Sequence, residues 1–87
     1  MSLAIGTLVV SQSGRDTDTV MAVIGVSDTH LILANGRKRR IEKPKHKKLK
    51  HVKVLDLTLT AEETELLTEG QMTNKMLYNG IRQSLMK

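Results

Sequence analysis

The stretch that decides the fold is IGTLVVSQSGRDTDTVMAVIGVS, residues 5–27. Its two ends, residues 5–12 and 19–27, are rich in Val and Ile, which favour β-strands. Between them lies SGRDTD, whose Ser, Gly and Asp residues favour turns. The stretch therefore predicts a strand, a short loop and a second strand.

A second pair of strands is predicted around the dipeptide Asn35-Gly36. HLILA, residues 30–34, precedes the dipeptide and RKRRI, residues 37–41, follows it. An Asn-Gly pair between extended segments is the strongest short-range signal for a two-residue hairpin. The predicted hairpin pairs Ala34 with Arg37, Leu33 with Lys38, Ile32 with Arg39 and Leu31 with Arg40.

This predicted hairpin has a consequence for its apolar side chains. Because side chains alternate between the two faces of a strand, pointing Ile32 and Ile41 into the interior turns Leu31 and Leu33 outward. Outward leucines need a cover. We therefore expect the C-terminal part of the chain to pack over them.

The last predicted strand is HVKVLDL, residues 51–57. Polar and apolar residues alternate as far as Val54, and the pattern changes phase at Leu55. A phase change of this kind indicates a bulge or a bend. Five short strands at close spacing predict a small barrel or sandwich.

Two helices are predicted after the strands. Thr60 followed by Glu63 has the spacing of a capping box, and the helix should end near Gly70. Thr73 can cap a second helix. That helix carries an apolar stripe consisting of Leu77, Ile81 and Leu85 beside Met76. The fold class predicted from the pattern is therefore mainly β with C-terminal α.

Positive charge is concentrated in one part of the chain. Residues 37–53 hold ten of the fourteen Lys and Arg residues and one acidic residue, whereas residues 1–36 and 54–87 are each net −2. Local charge of this sign attracts polyanions, so nucleic acid, anionic lipid and acidic protein are the candidate partners. The same run also fits a solvated surface or a nuclear-import signal.

The remaining composition argues against catalysis. The 87 residues include no Cys, and Tyr78 is the sole Phe, Tyr or Trp residue, so little base stacking is expected. Neither a paired acid and base, nor a metal-ligand spacing, nor a Gly-rich phosphate loop is evident. We expect no enzyme activity, no cofactor and no metal. The lack of Cys favours an intracellular site, which we expect to be cytoplasmic. The apolar N-terminal stretch has no charged leader and is too short to span a bilayer.

Residues 3–53 resemble KOW-domain proteins, particularly a small group similar to eukaryotic-type large-subunit ribosomal proteins. The parts that carry the resemblance are Gly6, the run Ser13-Gly14-Arg15-Asp16, the Asn35-Gly36 turn, and Glu42-Lys43-Pro44-Lys45 leading to Leu49-Lys50-His51. The resemblance implies an SH3-like KOW barrel, which we place over residues 1–58, and the helix pattern described above predicts a helical extension over residues 59–87. The resemblance also implies an RNA-related role in ribosomes or translation.

One departure from the family pattern shifts the predicted contacts. After the Arg-Asp pair the pattern often continues with Lys-Gly-Lys, whereas this chain has Thr17-Asp18-Thr19. The first loop keeps Arg15 as its one basic group, so most RNA contacts should come from the later basic run. The predicted RNA-binding residues are Arg15, Arg37, Lys38, Arg39, Arg40, Lys43, Lys45, Lys47, Lys48 and Lys50.

The leading hypothesis is a non-catalytic RNA-binding module, associated with ribosomes or translation, that contacts structured RNA through its phosphates. The expected partners are RNA, ribosomal by the resemblance, and ribosomal or translation proteins. We expect a monomer with no membrane association. The alternative is a protein-interaction adaptor that uses the barrel or the helical stripe of Leu77, Gly80, Ile81 and Leu85.

Overall fold

The computed structural model describes residues 3–86 and contains five strands and two α-helices. The strands are β1 (Thr7–Ser11), β2 (Val20–Val26), β3 (Leu31–Ala34), β4 (Lys45–Lys47) and β5 (Val52–Thr58), and the helices are α1 (Ala61–Thr68) and α2 (Asn74–Leu85). Short 3₁₀ turns occupy Gly14–Asp16 and Leu49–His51. The terminal residues Met1, Ser2 and Lys87, which belong to the two predicted segments, lie outside the described residues. The predicted fold class, mainly β followed by two helices, is confirmed.

The five strands form one antiparallel sheet in the order β4-β3-β2-β1-β5. The chain therefore runs as a meander from β1 to β4 and then returns to place β5 on the free side of β1. The phase change predicted near Leu55 is confirmed by a shift in the β1–β5 register. Val9 pairs with Val54 and Thr7 pairs with Thr58, so β5 carries two more residues than β1 over this stretch.

The sheet is strongly curled because its two edge strands are joined by residues 48–51 alone. Strands lie about 4.8 Å apart, so the edges of a flat five-stranded sheet would be roughly 19 Å apart. That distance exceeds what this connection can span at about 3.5 Å per residue when part of it is a 3₁₀ turn. Among the described residues, β4 and β5 are not hydrogen-bonded to each other. The sheet is therefore curled but open.

The fourth strand lies further along the chain than the Asn35-Gly36 signal predicts. Residues 37–41 form no strand, and β3 pairs with β4 instead. The observed pairs are Leu31 with Lys47, Ile32 with His46 and Leu33 with Lys45. The predicted two-residue hairpin is wrong, because residues 35–44 form a longer loop that contacts α2.

Apolar residues on the two faces of the sheet form two separate clusters. The inner cluster consists of Val9, Met21, Val23, Leu31, Leu33 and Val52. Among the described residues, none from α1 or α2 belongs to this inner cluster. The curl of the sheet itself therefore buries the side chains of the inner cluster. Leu31 and Leu33 are both 0% exposed. The prediction that they point outward is wrong, because alternation along β3 places both leucines on the face that forms the inner cluster.

The outer cluster lies between the sheet and the C-terminal helices. Its buried members are Leu8, Ala22, Ala34, Leu59, Met72, Leu77 and Ile81. The prediction that the helices pack on the sheet is therefore confirmed, although they cover a different face from the one that carries Leu31 and Leu33. None of the helices within residues 3–86 combines the length and apolarity needed to cross a membrane.

Both helices begin at the predicted caps. Thr60 Oγ1 accepts a hydrogen bond from Glu63 N, and the Glu63 carboxylate accepts one from Thr60 N, which completes the capping box. Thr73 Oγ1 accepts from Met76 N at the start of α2. Satisfying these N–H groups stabilises the first turn of each helix.

The buried face of α2 differs from the predicted stripe at one end. Leu77 and Ile81 are buried as predicted, but Leu85 is 45% exposed. Gly80 and Ser84 complete the buried face instead. A Cβ at Gly80 would lie 2.6 Å from the Glu63 carboxylate, and Ser84 Oγ donates to the Thr58 carbonyl at 3.0 Å. The small residues thus let α2 approach both α1 and β5.

Candidate nucleic-acid interface

The loop of residues 35–44 is organised by the side chain of Asn35. Its Oδ1 accepts hydrogen bonds from the backbone N–H groups of Arg37 and Arg39, both at 2.9 Å. The N–H groups of Asn35 and Gly36 both donate to the Arg39 carbonyl. Asn side chains commonly stabilise turns in this way. The Asn-Gly pair therefore builds a wide turn within the loop and no hairpin.

Gly36 lets this loop touch the first turn of α2. Its φ is +81°, a left-handed conformation that favours glycine. A Cβ at this position would overlap the carbonyl oxygen of Asn74 and lie 3.0 Å from the backbone nitrogen of Tyr78. The loop backbone and the helix backbone are thus in direct contact at Gly36.

Asn74, the first residue of α2, fixes the other end of the loop. Its Oδ1 accepts a hydrogen bond from Ile41 N at 2.8 Å, and its Nδ2 donates to Glu42 Oε1 at 2.7 Å. The second carboxylate oxygen of Glu42 accepts from Arg40 Nε, also at 2.7 Å. One amide side chain therefore holds both the backbone and the single acidic residue of the basic run.

The Glu42 carboxyl group is stabilised in its charged form. Hydrogen bonds from Arg40 and then Asn74, with a further one from its own backbone N–H, lower the pKa of Glu42 from 4.5 to about 2. Hydrogen bonds to a carboxylate favour ionisation. The negative charge of Glu42 is thus already matched by partners within the loop and α2.

A cleft opens where the loop meets α2. Its volume is about 380 Å³, and it is lined by Gly36, Arg37, Arg40, Asn74, Lys75 and Tyr78. The Arg37 guanidinium lies over the Tyr78 ring, 4.8 Å from its centroid, and the Arg82 guanidinium lies 5.8 Å from the same centroid. Both distances fall within the range of cation–π attraction. The cleft thus combines three cations with the ring of Tyr78, which is the sole Phe, Tyr or Trp residue of the chain.

The second half of the basic run is arranged differently. Lys47 is 7% exposed, and its Nζ donates to the Ser13 carbonyl at 2.7 Å and to Ser13 Oγ at 3.3 Å. This ammonium therefore joins the end of β4 to the β1–β2 loop. Lys48 and Lys50, in the connection to β5, are exposed.

The predicted binding residues differ in how accessible they are. The exposed ones are Arg15, Arg37, Lys38, Arg40, Lys43, Lys48 and Lys50. Arg39 and Lys45 are half-buried and make further interactions of their own. Lys47 is buried. The structure brings Arg37 and Arg40 to one cleft, whereas Arg15 lies in the 3₁₀ turn after β1.

Three residues of the cleft region come from α2 and were missed from the sequence, namely Lys75, Tyr78 and Arg82. Their spacing of three and four residues places them on one face of the helix. That spacing was a usable signal. The apolar stripe of the same helix obscures this pattern, because residues of the two helix faces alternate along the sequence.

Groups of three or more His, Asp or Glu residues that could hold a metal ion do not occur within residues 3–86. No protein-family model matches the chain, and no curated protein is significantly similar to it. The resemblance to KOW domains therefore stays a prediction.

Proposed function

We propose that the protein is a non-catalytic RNA-binding module, cytoplasmic and associated with ribosomes or translation, that contacts the phosphates of structured RNA. One observation carries this proposal. Six cations of residues 37–50 are exposed, while the single acidic residue of this segment, Glu42, is engaged by Arg40 and Asn74. The six are Arg37, Lys38, Arg40, Lys43, Lys48 and Lys50.

Phosphate binding follows from the chemistry of these side chains. Lys and Arg attract the RNA backbone by charge, and the released counterions favour binding. Contacts to phosphates position a protein on RNA without reading the sequence. Because Tyr78 is the sole Phe, Tyr or Trp residue, there are few places where exposed bases could stack. Folded RNA, with its dense phosphate charge, is therefore the favoured partner.

The fold supports a KOW-like assignment within the same proposal. The curled sheet has five short antiparallel strands and places the last strand beside the first. An open form of an SH3-like barrel would have this strand arrangement. The exposed loop cations lie within residues 37–50, the part of the chain that its charge pattern predicts to be RNA-binding.

The structure weakens one part of the alternative hypothesis, the protein-interaction adaptor. Its helical contact was to be formed by Leu77, Gly80, Ile81 and Leu85. The first three of these residues are buried against the sheet and α1. Of these four residues Leu85 alone remains exposed, so the stripe as predicted does not form a continuous apolar surface.

The proposal can be tested by comparing two full-length variants. One changes Lys38, Lys43, Lys48 and Lys50, all of them exposed, to Gln. The other is Arg15→Gln, which alters an exposed cation in a different loop. We expect the first variant to lose about tenfold or more in affinity for a structured RNA, and the second to lose much less.

Co-sedimentation with ribosomal particles at low and high salt tests the ribosomal part. We expect the wild-type protein to co-sediment at low salt and the fourfold variant to remain in the supernatant. If Arg15→Gln abolished RNA binding and the fourfold variant retained it, the proposed surface would be wrong.

A further inference from the structure

The cleft between the loop and α2 has features that phosphate binding alone does not require. A flat row of lysines is sufficient to contact an RNA backbone. Here Arg37 and Lys75 converge on one recess, and the Tyr78 ring forms part of its wall. Arg37 is held over that ring at 4.8 Å from its centroid.

We propose that this cleft binds one unpaired nucleotide of a folded RNA. Its phosphate contacts Arg37 and Lys75, and its base stacks against the surface formed by the Arg37 guanidinium and the Tyr78 ring. The inference rests on the proposed RNA-binding function and specifies the form of the RNA, which is a stem interrupted by a bulge.

Size favours a single nucleotide. The cleft volume of about 380 Å³ lies near the lower end of the range for small-ligand sites. A double helix is too wide to enter such a recess, whereas a nucleotide turned out of a stem can do so. Proteins that recognise RNA commonly read bases of this kind by stacking them on aromatic rings or guanidinium planes.

Charge favours an anionic ligand. Arg37, Arg40 and Lys75 line the same cleft, and clefts lined by one sign of charge concentrate ligands of the opposite sign. The nearby Glu42 carboxylate opposes an anion less than its position suggests, because Arg40 and Asn74 already donate to it. Arg37 and Lys75 are thus the cations best placed for a phosphate.

Tyr78 has a positioning role as well as a stacking one. Both Arg37 and Arg82 lie over its ring within the distance of cation–π attraction. This attraction limits where the Arg37 side chain can go before RNA arrives. A guanidinium held in place loses less conformational freedom on binding than one that moves freely.

The test uses the full-length protein and three hairpin RNAs of equal stem sequence. One has an uninterrupted stem, one has a single-nucleotide bulge, and one has an abasic residue at the bulge. We expect the bulged hairpin to bind about tenfold more tightly than the other two, the size expected for one stacked base. Binding of the uninterrupted hairpin tests the proposed function separately.

Matched variants locate the effect in the cleft. Tyr78→Phe keeps the ring and should keep the preference for the bulge, whereas Tyr78→Leu should remove the preference and leave binding of the uninterrupted hairpin nearly unchanged. Lys75→Gln should weaken binding of the bulged and abasic hairpins. Lys53→Gln, a charge change on β5 outside the cleft, is the control.

A measurement on the wild-type protein avoids any question of folding. Tyr78 is the only tyrosine, so its ring signals can be followed by NMR after selective labelling. Stacking of a base should shift these signals upfield with the bulged hairpin and much less with the abasic one. If the protein bound all three hairpins equally and the Tyr78 signals did not move, the inference would be overturned while RNA binding itself stood.

Discussion

The two halves of the basic run look alike in the sequence and differ in the structure. Residues 37–43 and residues 45–50 are both dense in Lys and Arg. The first half is an irregular loop fixed to α2 through Gly36 and Asn74, with most of its cations exposed. The second half contains a strand and a 3₁₀ turn, and its Lys47 is buried against Ser13.

This difference shows that charge density alone does not define a binding surface. In the second half, strand pairing directs the Lys47 side chain to the same face as Leu31, and its ammonium is used within the fold. In the first half, contact with α2 leaves Arg37 beside Lys75 and Tyr78. The cations that share a cleft are therefore selected by tertiary contacts.

The largest effect is expected from changing the contact that fixes the first half. Gly36→Ala places a Cβ against the Asn74 carbonyl at a positive φ, so it should cost about 2 to 4 kcal/mol of folding free energy. Gly70→Ala is the matched control, because Gly70 also has a positive φ but nothing lies within 4 Å of the added Cβ. It should cost about 1 kcal/mol.

Urea denaturation of both variants measures the difference. If the loop is packed tightly on α2, Gly36→Ala should be clearly more destabilised than Gly70→Ala. Equal urea midpoints would mean that the loop moves away from α2 at no cost in folding free energy. Residues 37–43 would then not be fixed to α2, and this difference from residues 45–50 would not hold.

Much of this architecture was predictable from local signals. The first two strands, the phase change near Leu55 and both helix caps all depend on residues close together in the chain. Each of these was confirmed, because short-range patterns determine them. The spacing of Thr60 and Glu63 is an example, since the two residues satisfy each other without help from the rest of the fold.

The candidate site was less predictable because it depends on distant residues. The Asn35-Gly36 signal was genuine as a turn signal, but the wide turn that forms also packs Gly36 against Asn74 of α2, a contact that the local sequence does not encode. The buried position of the Lys47 ammonium depends on a hydrogen bond to Ser13, which is 34 positions away. Charge patterns carry no information about such contacts, so they predicted the basic surface without its cleft.

An effect of intermediate size on stability is expected from residues 45–50, where Lys47 should matter for folding and Lys48 for binding. Lys47→Met keeps an apolar side chain but removes the ammonium that donates to Ser13, so it should cost about 1 to 2 kcal/mol of stability. Lys48→Met changes an exposed neighbour and should alter stability by less than about 0.5 kcal/mol.

Binding of structured RNA should show the opposite order. Lys48→Met should weaken it, whereas Lys47→Met should leave it nearly unchanged once the protein is folded. Urea midpoints and RNA titrations of the same two preparations provide the comparison. A strong binding defect in folded Lys47→Met would place the buried ammonium in the interface and contradict this division of roles.

The smallest effect is a pH dependence confined to the first half. The pKa of Glu42 is about 2 in the folded protein and 4.5 as its ordinary value. Because folding lowers this pKa, the contribution of Glu42 to stability is fully present above the ordinary value and is lost as pH falls toward about 2. Its exposure keeps the contribution small.

Wild type and Glu42→Gln should therefore differ slightly in urea midpoint at about pH 6, and the difference should disappear as pH falls through about 2. Carbon NMR of the Glu42 carboxyl group measures the pKa directly. A titration midpoint at the ordinary value would show that Arg40 and Asn74 do not hold this carboxylate in solution, and that the first half is less fixed than the structure indicates.

The most direct test of the central claim is the salt dependence of binding to a structured RNA. If about half of the nine cations in residues 37–50 contact phosphates, four or five counterions should be released, and log affinity should fall against log salt with a slope of about −3 to −4. Folded RNA should outcompete an unstructured strand of equal length. A nearly flat salt response, or strong preference for one short single-stranded sequence, would contradict the account.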